Sequence, residues 1–200
     1  MTSLHETQSI ARMDLVRTLE TLRSVRRDNE VIIPTMGSAR EWMKLGTPHA
    51  LDFILVPSAM GHGTSIGLGI ALARPEKRVI VCSGDGSLLM NLASLTSIVA
   101  AKASNVVVLL FDNGVYEVTG QQPTTGATTD FCAIAHACGF ASVHQFADAA
   151  VWARDARAAL DAPGPTFISL VVEPVVGGTA PHSPGPTSVR SRDFAAALQR

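Results

Sequence analysis

Charge is scarce in this chain. Lys, Arg, Asp and Glu make up 16% of its 200 residues, against about a quarter in an average soluble protein. The 16 basic residues nearly cancel the 17 acidic ones, leaving a net charge of -1. That balance gives no electrostatic case for nucleic acid or an anionic membrane as partner. So little charge also leaves the surface poorly covered, and a large buried interface is expected. Cysteine is sparse as well: Cys82, Cys132 and Cys138 are odd in number and contain no CxxC pair, which argues against a disulfide framework and for a reducing cytoplasm. Long apolar runs are missing. The longest, residues 106–111, spans six residues, far below the roughly 20 needed to cross a bilayer. Charges recur every few positions among the first thirty residues, so no signal peptide is expected.

What the chain does have is apolar content, 46% of its residues, enough to fill one sizeable core at this length. Ile10, Met13, Val16, Leu19, Leu22 and Val25 recur at near-helical spacing and predict an amphipathic first helix. Further helices are predicted over 39–45, 64–73, 88–101, 131–138 and 147–162. Strands are predicted over 31–33, 53–56, 78–82, 106–111, 141–144 and 166–172. Alternating strands and helices, with several strands apolar throughout, imply an α/β domain built on a doubly wound, mainly parallel sheet with helices on both faces. The expected organisation is an N-terminal helix (1–30), the α/β domain (31–172) and a tail (173–200), rich in Pro and Gly, that ends in a short helix. Arg190 and Arg192 are read as part of a solvated end.

Ligands in such sheets bind beyond the carboxyl ends of the strands, here residues 35–38, 58–63, 84–87 and 113–117. Gly84-Asp85-Gly86-Ser87 joins a strand to a helix, so the backbone can approach a ligand closely while free N–H groups face an anion. This suits a phosphate. A carboxylate inside a phosphate site makes sense only with a cation between the two. Mg²⁺ takes six oxygens, commonly one or two carboxylates with phosphate and water, and Asn113, after the next strand, supplies a neutral oxygen.

Gly84-Asp85-Gly86 followed by Asn113 resembles the metal and diphosphate motif of thiamine-diphosphate enzymes. The resemblance implies that Asp85, Asn113 and the Val115 carbonyl hold Mg²⁺. Ser58-Ala59-Met60-Gly61 resembles the family's upstream turn, with Ser58 meeting the aminopyrimidine and Met60 keeping the cofactor bent. Thr35, Ser38, Gly61, Gly84, Gly86, Ser87 and Tyr116 complete the implied cofactor site. His62 is the candidate for contacting substrate or relaying a proton, with a purely structural histidine as the alternative. Tyr116 and Glu117 are read either as closing over the site or as lining an interface.

The phrases Met60-Gly61-His62, 87–92, 112–116 and 119–124 are most similar to those of sulfopyruvate and phosphonopyruvate decarboxylases. Asp112 departs from the wider family, where many members carry a second Asn. The implied activity is loss of CO₂ from a small 2-oxo acid on thiamine diphosphate, which acts as electron sink; carboligation stays open. The family's activating glutamate lies on a pyrimidine-binding domain for which 200 residues leave no room. The chain therefore resembles the β subunit of a split enzyme, and a pyrimidine-binding α subunit is the expected partner, in a dimer or tetramer of heterodimers.

Other patterns compete. Gly63-Thr64-Ser65-Ile66-Gly67 matches the GxSxG elbow of hydrolases, with Asp148 and His182 downstream. A serine hydrolase using Ser65 is therefore an alternative, though Ser65 falls inside a predicted helix of small residues. The stretch 63–69 also looks dinucleotide-like, yet the sole tyrosine, Tyr116, has Gly120 rather than Lys four positions later. Cys132, His136 and Cys138 on one apolar helix suggest metal or, more simply, burial, and their spacing does not fit an iron-sulfur cluster. A non-catalytic interaction subunit of the same fold is a further alternative.

Overall fold

Strands that are apolar on both faces need cover on both sides, and the topology supplies it. The computed structural model describes residues 12–54, 60–179 and 182–200. In chain order it contains α1 (Leu15–Val25), β1 (Val31–Pro34), α2 (Met36–Lys44), α3 (Gly63–Ala73), β2 (Val79–Gly84), α4 (Asp85–Leu89), α5 (Ser94–Ala100) and β3 (Val106–Asp112). Then come a short antiparallel pair, β4 (Val115–Tyr116) and β5 (Gln122–Pro123), followed by α6 (Phe131–Cys138), β6 (Ser142–Phe146), α7 (Ala149–Asp161), β7 (Thr166–Val171) and α8 (Thr187–Leu198).

Five strands form a parallel sheet in the order β1-β2-β3-β7-β6. Ile32, Ile80, Leu109 and Ile168 face α1, α2 and α7, while Val31, Val81, Val108 and Phe167 face α3, α5, α6 and α8. All eight are fully buried, each worth about 1.5–3 kcal/mol of transfer free energy. The chain steps outward from β1 to β3, skips to the edge at β6, and returns through α7 to β7. That reversal puts α7 on the face opposite α5 and α6, as right-handed crossovers require. The sheet is doubly wound, and the carboxyl ends of β1, β2 and β3 lie side by side.

Four segments differ from expectation, each for a local reason. The pairing expected at 53–56 falls earlier: Phe53 donates to the Ile32 carbonyl and Asp52 bridges Ile32. Asp52 is also drawn in by Arg26, by Trp42 Nε1 at 2.8 Å and by the His49 N–H at 2.9 Å; residues 55 and 56 lie outside the described residues. The helix expected at 88–101 is two helices. Asn91 Nδ2 donates to the Gly61 carbonyl at 2.7 Å and Ser94 Oγ to the Asn91 carbonyl, side-chain bonds that compete with a continuous helix. The second helix begins earlier than expected, because Thr35 and Ser38 form a capping box at its start.

The end of the chain is not a solvated tail. α8 buries Phe194 and Ala197 against the α3 side of the core, with Phe194 stacked on Phe53 at 4.6 Å between ring centroids. Arg190 donates to the Ile54 carbonyl at 2.6 Å. No helix of the described residues is long and apolar enough to cross a membrane.

Candidate functional site

A cleft opens at the carboxyl ends of β1, β2 and β3. Its walls include Thr35, Ser38, Gly84, Asp85, Gly86, Ser87, Asn113, Val115 and Tyr116, together with Met60. Residues far apart in the chain are thus brought together as anticipated. The register explains why: Pro34 pairs with Cys82 and Gly84 with Phe111, so the loops leaving the three strands emerge at one level.

Asp85 is 1% exposed at the first position of α4. Thr124 Oγ1 donates to its Oδ2 at 2.6 Å, and backbone N–H groups, Gly114 among them, also reach it. Burial nevertheless wins, pushing its carboxyl above the ordinary range against these hydrogen bonds. Asp112 is raised too, first by burial and then by the charge of Asp85. Among the described residues no cationic side chain forms an ion pair with Asp85. A buried carboxylate reinforced by a second one is an environment that a cation would relieve.

Asn113 is held by an Asx turn, its Oδ1 accepting from the Val115 N–H at 3.0 Å. Its Nδ2 donates to Glu117 Oε2 at 3.1 Å. Glu117, 6% exposed, forms an ion pair with Arg40 at 2.5 Å and accepts from the Val175 N–H at 2.9 Å. Arg40 in turn reaches Glu41 at 2.5 Å and the Thr179 carbonyl at 2.8 Å. Sequence reasoning missed this network and the Thr124–Asp85 bond. The only clues were Glu117 four positions after Asn113 and the presence of Thr124 in a segment that resembles one of the family's loops.

The turn carrying Met60 is pinned from the other side: the Gly61 N–H donates to Ser87 Oγ at 3.0 Å. Gly61 has a φ of +75°, which glycine adopts without steric cost. Met60 is 37% exposed at the cleft, and Ser58 lies outside the described residues. His62 is exposed, with Nδ1 2.8 Å from the Met60 carbonyl oxygen, and does not line the cleft. Thr35 and Ser38 border it, but their hydroxyls turn to the backbone: Thr35 Oγ1 donates to the Cys82 carbonyl at 2.9 Å, bracing β1 against β2, and Ser38 Oγ donates to the Thr35 carbonyl at 2.7 Å. Beside Gly86, the expected room for a ligand is filled by the Tyr116 ring, whose Cδ1 would stand 2.5 Å from an added Cβ.

The competing patterns do not assemble. Ser65 lies within α3, exposed and hydrogen-bonded by Asn91 Nδ2, and among the described residues no strand runs into it. Asp148 spends its carboxylate capping α7. Cys132 and Cys138 are half-buried and His136 is exposed, and among the described residues no three His, Cys, Asp or Glu side chains converge as a metal cluster.

Comparison with known proteins matches the thiamine pyrophosphate enzyme C-terminal TPP-binding domain to residues 35–170. The chain is 38% identical to a phosphonopyruvate decarboxylase of Streptomyces viridochromogenes over 84% of its own length but only 42% of the relative's. It is 35% identical to the sulfopyruvate decarboxylase subunit beta of Methanothermobacter thermautotrophicus over 81% of its length and 83% of that subunit. Among solved structures, the Rhodococcus jostii RHA1 thiamine diphosphate-dependent 4-hydroxybenzoylformate decarboxylase superposes with a TM-score of 0.68 at 21% identity, over 86% of this chain and 35% of that one. The chain thus spans less than half of the Streptomyces and Rhodococcus proteins and most of the archaeal subunit.

Proposed function

The chain belongs to the thiamine pyrophosphate enzymes, with their C-terminal cofactor-binding domain, and on that premise we propose that it works in a 2-oxo acid decarboxylase of the sulfopyruvate or phosphonopyruvate type. The observation that carries this reading is the buried Asp85 carboxylate in one cleft with Asn113 and Val115. A carboxylate, an amide oxygen and a backbone carbonyl are the hard oxygen donors Mg²⁺ takes, and the buried charge of Asp85 calls for a cation. The donor set therefore fits the metal, with Asp85, Asn113 and the Val115 carbonyl as its ligands. When bound, thiamine diphosphate supplies the electron sink for loss of CO₂ from the 2-oxo acid.

The chain's own residues bind and orient. The glycine backbone at 84–86 would hold the diphosphate and Met60 would support the cofactor from the neighbouring turn, while the Tyr116 ring packs on Gly86 of α4. His62, next to that turn, would contact substrate or relay a proton only with the site closed by a second chain. We assign that role to a pyrimidine-binding α subunit, in a dimer or tetramer of heterodimers in the cytoplasm. Support comes from the name and length of the archaeal beta subunit, which this chain spans over 83%, and from apolar exposure around the cleft. Met60 and Met90, which line the cleft, are 37% and 51% exposed, and such surface beside an open site suits a partner.

Thermal unfolding with thiamine diphosphate, Mg²⁺, both, or both with EDTA tests the reading. Ligand at about 100 times Kd adds roughly 2.7 kcal/mol, about 5–10 °C for a chain of this size. The expected shift requires cofactor and metal together and vanishes in Asp85→Ala. A shift that survives EDTA removes the metal assignment, and no shift in the chain or in its complex removes the cofactor reading.

A further inference from the structure

Glu117 lines the cleft, yet both of its oxygens are engaged: Oε1 takes Arg40, and Oε2 accepts from Asn113 Nδ2 and from the Val175 N–H. On the other side of Asn113, Oδ1 accepts from the Val115 N–H. These two contacts allow one orientation of the amide. Rotating it by half a turn would set Nδ2 against the Val115 N–H and Oδ1 against the Glu117 carboxylate, donor to donor and acceptor to acceptor. Oδ1 keeps a second lone pair, so the orientation that Glu117 enforces is the one in which an oxygen remains to bind a cation.

Glu117 is itself immobilised from a distant part of the chain. Val175 donates to it, and the Thr179 carbonyl accepts from its partner Arg40. A Cβ at Gly178 would stand 2.8 Å from both Arg40 Nη1 and Glu117 Oε1, and one at Gly37 would stand 2.9 Å from Glu117 Oε1. Segment 175–179 lies outside the region matched to the family domain, which ends at residue 170.

We propose that Glu117 is the positioning residue for the metal ligand Asn113, orienting its amide through Nδ2, and that segment 175–179 with Arg40 holds Glu117 in place. The proposal rests on the metal reading above. It distinguishes Glu117 from a direct ligand, because its carboxylate acts on the amide rather than on the cation.

The test is a charge-complementary cycle on the full chain with its pyrimidine-binding partner and thiamine diphosphate, using Mn²⁺ as probe and counting free Mn²⁺ by electron paramagnetic resonance. Asn113→Asp keeps an oxygen donor and adds negative charge, which alone would favour the cation. Facing the Glu117 carboxylate, it should instead weaken Mn²⁺ binding at least tenfold. Glu117→Gln should weaken it similarly by turning a donor toward Nδ2. In Asn113→Asp/Glu117→Gln a Gln N–H meets the new carboxylate, and binding should recover at least fivefold over either single variant. Recovery stays partial because the Val175 N–H loses its acceptor. In the unliganded chain the Asn113 side-chain amide protons, read by NMR, should be protected and lose that protection in Glu117→Gln.

Losses that multiply in the double variant, or amide signals unchanged by Glu117→Gln, overturn the proposal. A role confined to fold stability would lower the unfolding temperature of the variants while leaving Mn²⁺ affinity in the folded complex unchanged, and that result overturns it too. A wild-type complex that holds no Mn²⁺ overturns the underlying metal reading, a distinguishable failure.

Discussion

Gly86 shows how close two opposing terms can lie at one position. Replacing a helical glycine by alanine ordinarily gains up to about 1 kcal/mol. Here the new methyl would press on Tyr116 at 2.5 and 2.7 Å and on Thr124 at 3.3 Å, and overpacking of this kind costs about 1–3 kcal/mol. Gly86→Ala should therefore destabilise the chain by about 1–2 kcal/mol in chemical denaturation and displace Tyr116, visible in its fluorescence or ring NMR signals. An unchanged midpoint would mean that the ring yields freely. At this scale the sequence was informative about which loops meet, Asp85 and Asn113 lining one cleft, because a residue type and its place after a strand carry the signal. It did not join Arg40 to Glu117. They lie 77 positions apart, and nothing in either segment states that the fold will bury them together.

Among the elements, β1, β2, β3 and β7 were legible because continuous β-branched runs have few other solutions in a chain of this pattern. The break between α4 and α5 was not, since it depends on Asn91 finding the Gly61 carbonyl thirty positions away. A short helix near the end was expected, but the docking of α8 escaped for a related reason. Its composition has weak amphipathic character, and two apolar side chains, Phe194 and Ala197, carry its docking. Phe194→Ala should therefore cost about 3 kcal/mol, the low end for loss of a buried aromatic, and raise proteolytic sensitivity near the C-terminus. A loss under 0.5 kcal/mol would show that α8 adds nothing to the core.

Over the whole molecule, the low charge content finds its counterpart in α3. Gly63, Gly67 and Ala71 lie against the sheet, and a Cβ at Gly67 would fall 2.3 Å from Val81. With its small residues turned inward, the helix carries Leu72 outward at 56% exposure. Leu72→Glu should leave the stability of the isolated chain within about 0.5 kcal/mol yet weaken assembly with the partner at least tenfold, measured by analytical ultracentrifugation. Unchanged assembly would move the interface away from α3.

The strand order has a consequence for how the protein is made. β7 is the last of the five sheet strands to be synthesised, yet it sits between β3 and β6. A ribosome that has released β3 must therefore extend the chain through α6, β6 and α7 before the strand that covers the open edge of β3 exists. At 5–20 residues per second that interval is about 3 to 12 seconds. Throughout it the apolar run from Val106 to Phe111 presents an unpaired edge to the cell, so the newborn chain is exposed to aggregation before the sheet can close.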